Sequence, residues 1–286
     1  MGIQSTIEAA VPALTPAMRR IAKAIRDNPA IVLEKTISQI ADSCETSVAT
    51  VVRFCRAVGL SGYADLRMSL ATELGREAAK FGSGPTLGAE IAQTDTIEEM
   101  VTKVASLEML AIEETASSLD FKALERVVAA LEKAQRILLF GIGASHFVAQ
   151  DLHHKLFRVG RNAFLLTDAH EAWSAALLSP RDTVAIAFSH SGTTADTVQF
   201  LEIARENGAL TVAITGASES ALAKLADERL IAHARESSLR AGAMVSRIAQ
   251  LVLVDCLFLG VARVRYEQTI DALKRTRDVT HPDATR

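Results

Sequence analysis

The stretch Thr183-Val-Ala-Ile-Ala-Phe-Ser-His-Ser-Gly-Thr-Thr-Ala-Asp-Thr197 decides the fold of the second half of this chain. Its residues 184–188 form a continuous apolar run, which is typical of a buried strand. Residues 189–194 then bring four hydroxyl side chains and one glycine together, and a helical pattern of apolar residues follows. This order directs backbone N–H groups and the positive end of a helix toward one edge of a sheet. The stretch therefore predicts an anion site, because an ordinary capped loop needs one hydroxyl and this turn offers four.

The chain from Arg136 onward alternates apolar runs of strand length with helical patterns. The predicted strands cover residues 137–140, 163–166, 184–188, 210–214 and 229–232, and the predicted helices cover 146–159, 169–177, 195–207, 220–226 and 242–262. Such alternation predicts an α/β domain with a five-stranded parallel sheet, flavodoxin-like, and helices on both faces. Ligands of such sheets bind at the carboxyl ends of the strands. Beyond Arg263 the chain becomes polar, and we expect it to fray.

Three predicted loops at those carboxyl ends, residues 141–146, 189–194 and 215–218, are rich in glycine and hydroxyl side chains. The first begins like a dinucleotide-binding fingerprint, but His146 stands where the third glycine would be. No acidic residue ends the second strand to hold a ribose, so the sequence predicts no nicotinamide site and no other cofactor. Hydroxyls both donate and accept hydrogen bonds, and they suit phosphate oxygens and sugar hydroxyls alike.

The N-terminal part has the pattern of a helix-turn-helix. A first helix is predicted at residues 37–43 and a turn at 44–46, and Ser47 caps a second helix whose Val48, Val51, Val52 and Cys55 recur at helical spacing. The opposite, outward face would carry Ala49, Thr50, Arg53 and Arg56. Short polar side chains and arginines suit a recognition helix in the major groove of double-stranded operator DNA. The alternative is a small helical bundle that presents arginines to solvent.

Composition limits the remaining function classes. The chain has 286 residues, a net charge of −3 and 49% apolar residues, which suggests two domains with large cores. Residues 1–80 contain ten basic and eight acidic side chains, and the remainder contains 21 and 26, so the slight positive excess lies on the predicted DNA-binding side. Cys44, Cys55 and Cys256 do not have metal-ligand spacing and predict free thiols in the cytoplasm.

Neither a signal peptide nor a membrane span is expected. The apolar segment 243–261 is interrupted by Arg247, Gln250 and Asp255, which predicts a buried or interface helix. This segment and the predicted helix 97–117 are apolar over more surface than their own domains can cover. We therefore expect a homodimer or a tetramer.

The domain boundaries follow from the linker signal Phe81-Gly-Ser-Gly-Pro-Thr-Leu-Gly88. They predict a helix-turn-helix domain at residues 1–80, a linker and bridging helix at 81–120, an α/β domain at 121–265 and a polar C-terminal tail at 266–286.

The N-terminal motifs permit a family assignment. Ile40-Ala41, Ser47-x-x-Thr-Val-Val-Arg-Phe-Cys55 and Gly59-Leu-Ser-Gly-Tyr-Ala-Asp-Leu66 closely resemble the DNA-binding domain of the RpiR family of bacterial transcription regulators. Glu45 departs from the resemblance, because such turns often carry glycine at this position. A glutamate there must adopt a strained backbone or shift the turn.

The C-terminal motifs resemble the sugar isomerase (SIS) domain over residues 123–263. They are Gly141-x-Gly143-x-Ser145 and Ser189-His-Ser-Gly-Thr-Thr194. The resemblance implies that Ser145, Ser189, Ser191 and Thr194 hold the phosphate of a phosphosugar, with Gly143 and His190 in the same loops and Glu236 near the sugar. Both domains in this order imply a regulator that senses a phosphosugar and controls genes of carbohydrate metabolism.

The alternative is a phosphosugar isomerase that is fused to a DNA-binding domain. An isomerase needs a base at the carbons that exchange a proton, and only Glu236, His146 and His190 are attractive candidates. A histidine in a phosphate loop is more often a lining group, so we expect no enzymatic activity. His153 and His154 do not have the i, i+4 spacing of a helical metal site, and the sequence predicts no metal.

Overall fold

The computed structural model describes residues 2–81, 95–235 and 241–280. Its contacts divide the chain into two compact units. The helical unit comprises Met1–Ser118, Ala217–Glu219 and His233–Ala249, and the α/β unit comprises Leu119–Gly216, Ser220–Ala232 and Gln250–Arg286. Apart from Phe81, the predicted linker lies outside the described residues, as does Glu236.

Seven helices form the first part of the chain as far as residues 2–81 and 95–118 describe it. They are α1 (Ile3–Ala10), α2 (Pro16–Asp27), α3 (Ile31–Glu34), α4 (Ile37–Ser43), α5 (Val48–Ala57), α6 (Tyr63–Phe81) and α7 (Ile97–Ser117), with a 3₁₀ turn at Val11–Ala13. Local signals set their starts: Thr36 and Gln39 form a capping box at α4, and Thr96 and Glu99 form another at α7. The predicted helix-turn-helix is therefore present as α4 and α5.

The core of the helix-turn-helix is built from apolar side chains of six helices, including Val32 of α3. Ile21 and Ile25 of α2, Ile40 of α4, Val51, Phe54 and Cys55 of α5 and Leu66 and Leu70 of α6 are almost fully buried, and Ile7 of α1 joins them. The prediction that Val48 points inward is wrong, because this side chain is 41% exposed. Phe54 occupies the inner position instead, since the helix is rotated from the predicted face.

Helix α7 has the predicted bounds, and its buried face is not purely apolar. Leu107, Leu110 and Ala111 are buried, whereas Val101 is 64% exposed. The buried face also contains the polar Lys103, Ser106, Glu114 and Thr115. Contacts with polar partners inside the helical unit thus allow polar side chains on the buried face of α7.

The second part of the chain alternates strands and helices. The elements are α8 (Phe121–Lys133), β1 (Arg136–Gly141), α9 (Ala144–Arg158), β2 (Ala163–Leu165), α10 (Ala169–Leu177), β3 (Thr183–Phe188), α11 (Ala195–Glu206), β4 (Leu210–Thr215), α12 (Ala221–Leu225), β5 (Glu228–Ile231), α13 (Met244–Val264) and α14 (Tyr266–Thr280). The order of elements agrees with the sequence prediction as far as α13.

The five strands are parallel and have the order β2-β1-β3-β4-β5, which confirms the flavodoxin-like prediction. Successive residues of a strand face opposite sides of the sheet. Leu138 and Phe140 belong to the core that includes residues of α10, α11 and α12. Ile137 and Leu139 are equally buried and alternate with them, and α9 contacts β1, β2 and β3. Burial on both sides explains the continuous apolar runs.

The C-terminal end is helical, so the expected frayed tail is wrong as far as Thr280. Helix α14 contacts α9, and its Thr269 is only 5% exposed. Tertiary contacts supply the stability that its polar sequence does not predict.

Helix α13 is the one helix in the described ranges that is long and apolar enough to cross a membrane, with a mean hydropathy of 1.8. Within its most apolar window, 44% is buried inside the protein. Gly260 packs so closely against Val128 of α8 that an added Cβ would lie 2.5 Å from a methyl carbon. Packing of this kind agrees with the predicted buried or interface helix.

Candidate ligand site and recognition helix

The outer face of α5 is the candidate recognition surface. Ser47, Ala49, Arg53 and Arg56 are exposed, as predicted. Thr50 is not: it is only 6% exposed, and its hydroxyl accepts a hydrogen bond from Arg53 Nη2 at 2.9 Å. The prediction that Thr50 faces outward is therefore corrected. This threonine orients Arg53 from within the helix.

The start of α5 is closed by its own side chain. The Ser47 hydroxyl accepts a hydrogen bond from the backbone N–H of Thr50 at 3.2 Å and lies 3.0 Å from the Thr50 hydroxyl. A capped start leaves fewer backbone donors for a phosphate. The exposed side chains are consequently the main means by which α5 can contact DNA.

The turn before α5 contains the glutamate that the sequence marks as unusual. Glu45 has φ +50°, a left-handed conformation that favours glycine. Arg20 of α2 donates from Nε to the Cys44 carbonyl at 2.8 Å and from Nη2 to the Glu45 carbonyl at 2.7 Å. A side chain from another helix thus holds the strained turn.

The hydroxyls of the predicted phosphate loop bind one another at the carboxyl end of β3. The Ser189 hydroxyl accepts from the Gly192 N–H at 3.1 Å and lies 3.0 Å from the Thr194 hydroxyl. The Ser191 hydroxyl accepts from the N–H of Thr193 at 3.3 Å and from its hydroxyl at 3.1 Å. Ser189 is buried, whereas Ser191 is exposed. The loop is therefore folded into a compact turn with Ser191 at its surface.

Gly192 is required by the turn for two reasons. Its φ is +63°, and an added Cβ would lie 2.0 Å from the Ser220 hydroxyl at the start of α12. Its carbonyl also accepts from the N–H of Leu222 at 3.0 Å. A side chain at this position would push the hydroxyl loop away from α12.

His190 is placed by the neighbouring loop after β4. Its carbonyl accepts from the N–H of Gly216 at 2.9 Å, and an added Cβ on Gly216 would lie 2.4 Å from the imidazole Cε1. The imidazole packs over a glycine. This position fits a lining group of the loop.

The helix starts of the α/β unit fall into two classes. Helices α8, α10 and α12 are capped by the side chains of Asp120, Asp168 and Ser220. Within the described residues, α9 and α11 have no side-chain cap. Their N-cap residues are Gly143, which has φ +61° and no side chain, and Thr194, whose hydroxyl is directed to Ser189. No side chain therefore caps these two helix starts, although the N–H groups of Ser145, His146 and Thr197 donate to backbone carbonyls of the preceding turns.

Ser145 lies in the first turn of α9 and is 9% exposed. Together with the hydroxyl turn after β3, it surrounds the carboxyl ends of the adjacent strands β1 and β3. The structure therefore places the predicted phosphate ligands Ser145, Ser189, Ser191 and Thr194 at two neighbouring strand ends. Glu236 lies outside the described residues.

A cavity of about 300 Å³ opens at the ends of β1 and β2. Of the predicted ligand residues, Gly143 lines it, whereas the residues of the hydroxyl turn do not. His146, a candidate base of the alternative isomerase, lines it as well, together with Thr167, Asp168 and Asp196, which the sequence did not single out for the site. In the sequence, only their positions could have pointed to the cavity, because each of them follows the end of a strand or lies at the start of a helix.

The helical unit also contains a buried ionic cluster that the sequence does not predict. Arg235 pairs with Glu114 of α7 and Glu73 of α6, and the three side chains are 8–12% exposed. The Ser5 hydroxyl of α1 donates to Glu114, and the N–H of Ile3 donates to Glu73. The partners are far apart in sequence, so no local pattern could reveal them.

Burial shifts the pKa of two side chains near these elements. Burial lowers the pKa of His233, and nearby Glu114 opposes this effect. Burial raises the pKa of Cys55 to about 11, so the thiol stays neutral in the core of the helix-turn-helix. In the part of the chain that the structure describes, no group of three or more His, Cys, Asp or Glu side chains could hold a metal ion.

Comparison with known proteins assigns both halves. The model of the helix-turn-helix domain of the rpiR family matches residues 1–77, and the model of the SIS domain matches residues 130–260. An uncharacterized HTH-type transcriptional regulator of Caldanaerobacter subterraneus is 35% identical over 265 residues, which cover 93% of this chain and 92% of the relative.

Two further proteins are similar to this chain over almost its whole length. The structure of the Vibrio vulnificus NanR protein complexed with ManNAc-6P is similar over 98% of each chain, with 29% identity and a TM-score of 0.62. A Bifunctional protein glk of Paraburkholderia xenovorans is 36% identical over 280 residues, which cover 96% of this chain but 42% of that protein.

Proposed function

The chain belongs to the rpiR family of helix-turn-helix transcription regulators that carry a SIS domain, and we propose that a phosphosugar at the strand ends controls its binding to operator DNA. The observation that carries the sugar half is the pair of uncapped helix starts beside the hydroxyl turn. The Vibrio vulnificus NanR complex makes ManNAc-6P the first compound to test.

The phosphate would lie between the starts of α9 and α11. Backbone N–H groups at both helix starts would bind it there, and the helix dipoles would favour its negative charge. Ser145, Ser189, Ser191 and Thr194 would add hydroxyl donors, each contributing about 1.5–3 kcal/mol to binding a charged group. The hydroxyls that bind one another in the free turn would exchange these bonds for phosphate oxygens.

The sugar part would extend from the phosphate toward the neighbouring cavity. Asp168, Asp196 and His146 can accept or donate hydrogen bonds to hydroxyl groups there. Gly143 borders both the uncapped start of α9 and this cavity. We place Glu236 near the sugar on the family resemblance alone.

On the DNA side, α5 would enter the major groove with its exposed face. Ala49, Arg53 and Arg56 would approach bases or phosphates, and the hydrogen bond that Arg53 donates to the Thr50 hydroxyl would hold the guanidinium in place. Ser47 would act mainly as the cap of the helix.

A helix-turn-helix dimer binds two half-sites, and we propose a homodimer or tetramer for this reason. Ile97, Val101, Met109 and Ile112 of α7 are each more than 40% exposed, which supports an apolar contact with a second copy. Sedimentation of the full chain should give a dimer or larger at micromolar concentration. Val101→Glu should weaken it, and the neighbouring exposed Thr102→Glu is the control.

We assign the protein to the cytoplasm, where regulators of this family reach chromosomal DNA. The three described cysteines are all unpaired, which fits a reducing compartment.

A fused isomerase is the second candidate, because His146 and two carboxylates line the cavity. The regulator is favoured, since an upstream helix-turn-helix suits sensing and no turnover is needed for it. A turnover assay with glucose 6-phosphate and glucosamine 6-phosphate distinguishes the two: the isomerase requires interconversion with the ketose, and the regulator does not.

The proposed function is tested by measuring phosphosugar binding first and then its effect on DNA binding. A panel of phosphosugars that includes ManNAc-6P is first screened by thermal shift, where a ligand at about 100 times its Kd stabilises by about 2.7 kcal/mol. The best compound is then added to the protein bound to a DNA fragment that the protein itself has selected from a random pool. A change in DNA affinity is expected. Stabilisation without any change in DNA affinity would contradict the proposed control.

A further inference from the structure

We propose that Arg20 is a positioning residue for DNA recognition: it fixes the turn between α4 and α5 and thereby the direction of the exposed face of α5. The proposal rests on the proposed function, because it concerns how the helix-turn-helix reads DNA. Arg20 lies on α2, outside the helix-turn-helix motif itself.

Two hydrogen bonds carry the proposal. Arg20 donates from Nε to the carbonyl of Cys44 at 2.8 Å and from Nη2 to the carbonyl of Glu45 at 2.7 Å. Cys44 is the C-cap of α4, so both carbonyls lie at the negative end of a helix, where a cation is favoured. The planar guanidinium binds the two oxygens together, as it would bind a carboxylate.

The turn needs such support because its backbone is strained. Glu45 has φ +50°, and side-chain-bearing residues rarely adopt this conformation. Its N–H donates to the Asp42 carbonyl at 3.1 Å, and the next N–H, of Thr46, donates to the Ala41 carbonyl at 2.9 Å. Without Arg20, the glutamate can relax toward negative φ only by changing the direction in which the chain leaves α4.

The change in direction would reach the DNA-reading residues directly. Ser47, two residues after Glu45, caps α5, and Ala49 and Arg53 lie in its first two turns. A rotation of α5 would move these side chains relative to base edges, whereas phosphate contacts tolerate small displacements better. Arg20 should therefore affect sequence discrimination more than total affinity.

The competing role for an exposed arginine is a direct phosphate contact. The two roles differ in salt dependence: removing one phosphate contact lowers the slope of log K against log[salt] by about one, and it weakens binding to all sequences alike. Loss of positioning leaves the slope unchanged and weakens specific binding alone.

The experiment uses the full chain and two DNA fragments, one selected from a random pool by the wild-type protein and one scrambled version. Affinities are measured at four salt concentrations. Arg20→Ala should lower affinity for the selected fragment about tenfold and leave the scrambled fragment within about twofold, at an unchanged salt slope. Lys23→Ala, another exposed cation of α2, is the matched control and should leave the ratio between fragments unchanged.

A rescue variant separates positioning from general damage. Glu45→Gly removes the strain, so Arg20→Ala in this background should lose less than about threefold for the selected fragment. If Arg20→Ala is unfolded at the assay temperature, as judged by circular dichroism, Arg20→Lys serves instead. Lysine can reach one carbonyl but not both in a fork, and its loss of affinity should be intermediate.

The outcomes are distinct. A salt slope that falls by about one for both fragments, no effect of Arg20→Ala, or an equal loss in the Glu45→Gly background each overturns the positioning role. A wild-type protein that selects no sequence at all would instead reject the proposed function, and this role with it.

Discussion

The helix starts of the two candidate binding regions differ in one feature. The recognition helix α5 is capped by Ser47, whereas α9 and α11 beside the hydroxyl turn have no side-chain cap within the described residues. The helices around them in the α/β unit are capped by Asp or Ser in the ordinary way. Helices α1, α2 and α3 also lack a side-chain cap, so it is the position of α9 and α11 at two adjacent strand ends that fits the proposed anion site.

The comparison also separates two kinds of recognition. A capped helix presents side chains, and side chains can distinguish one base pair from another. Uncapped starts present backbone N–H groups. These groups can bind a phosphate regardless of which side chains surround them. The difference predicts that changes at α5 alter DNA specificity, whereas changes at the hydroxyl turn alter ligand affinity and leave DNA binding intact.

The largest effect is expected from the hydroxyl turn. The double substitution Ser189→Ala with Ser191→Ala removes two donors to a charged ligand, each worth about 1.5–3 kcal/mol, and should weaken phosphosugar binding more than about a hundredfold. Calorimetry measures the loss, and Ser174→Ala on α10 is a control because its hydroxyl donates to the helix carbonyl of His170. Wild-type response of the double variant would place the phosphate elsewhere.

Capping α11 should remove the difference between the two regions. Thr194→Asp places a carboxylate at the N-cap of α11, where it accepts the free N–H groups and occupies the position of the anion. Phosphosugar affinity should fall about a hundredfold while the melting temperature does not decrease. Thr194→Ser retains a neutral hydroxyl and should bind nearly normally. Retained binding by the aspartate variant would show that the start of α11 is not the anion site.

On the capped side, Arg53→Ala should weaken operator binding by about 1–3 kcal/mol and leave phosphosugar binding unchanged. The exposed guanidinium is held by Thr50 at 2.9 Å, so its removal deletes an oriented contact. Arg53→Lys keeps the charge but not the fork and should retain the salt slope while losing specificity. Normal operator affinity of Arg53→Ala at matched salt would mean that another surface reads the DNA.

The smallest effect is expected for the cap itself. Ser47→Ala removes the acceptor for the Thr50 N–H and should destabilise the helical unit by about 1 kcal/mol, measured by thermal unfolding. Ser38→Ala, an exposed serine inside α4, should be neutral or slightly stabilising. Equal effects of the two substitutions would indicate that Ser47 does not act as a cap.

The helix-turn-helix shows which structural features local sequence patterns can predict. The predicted helix 37–43 is present as α4, and Ser47 caps α5 as the sequence predicts. Thr50 and Val48 were assigned to the wrong faces, because Phe54 packs fully inside and sets the rotation of α5. The choice between two nearly equivalent helix faces depends on which side chains fill the core. That choice is made by packing between helices, not by periodicity.

At the candidate ligand site, the sequence by itself determined the alternation of strands and helices, the hydroxyl turn and the residue types available for a phosphate, because strand length, helical period and turn chemistry are local properties. Only the tertiary structure decided that the serines of the turn bind one another, that His146, Asp168 and Asp196 line one cavity, and that Arg235 joins Glu73 and Glu114. These residues lie far apart along the chain. Their association depends on how the sheet and helices pack, which no spacing in the sequence records.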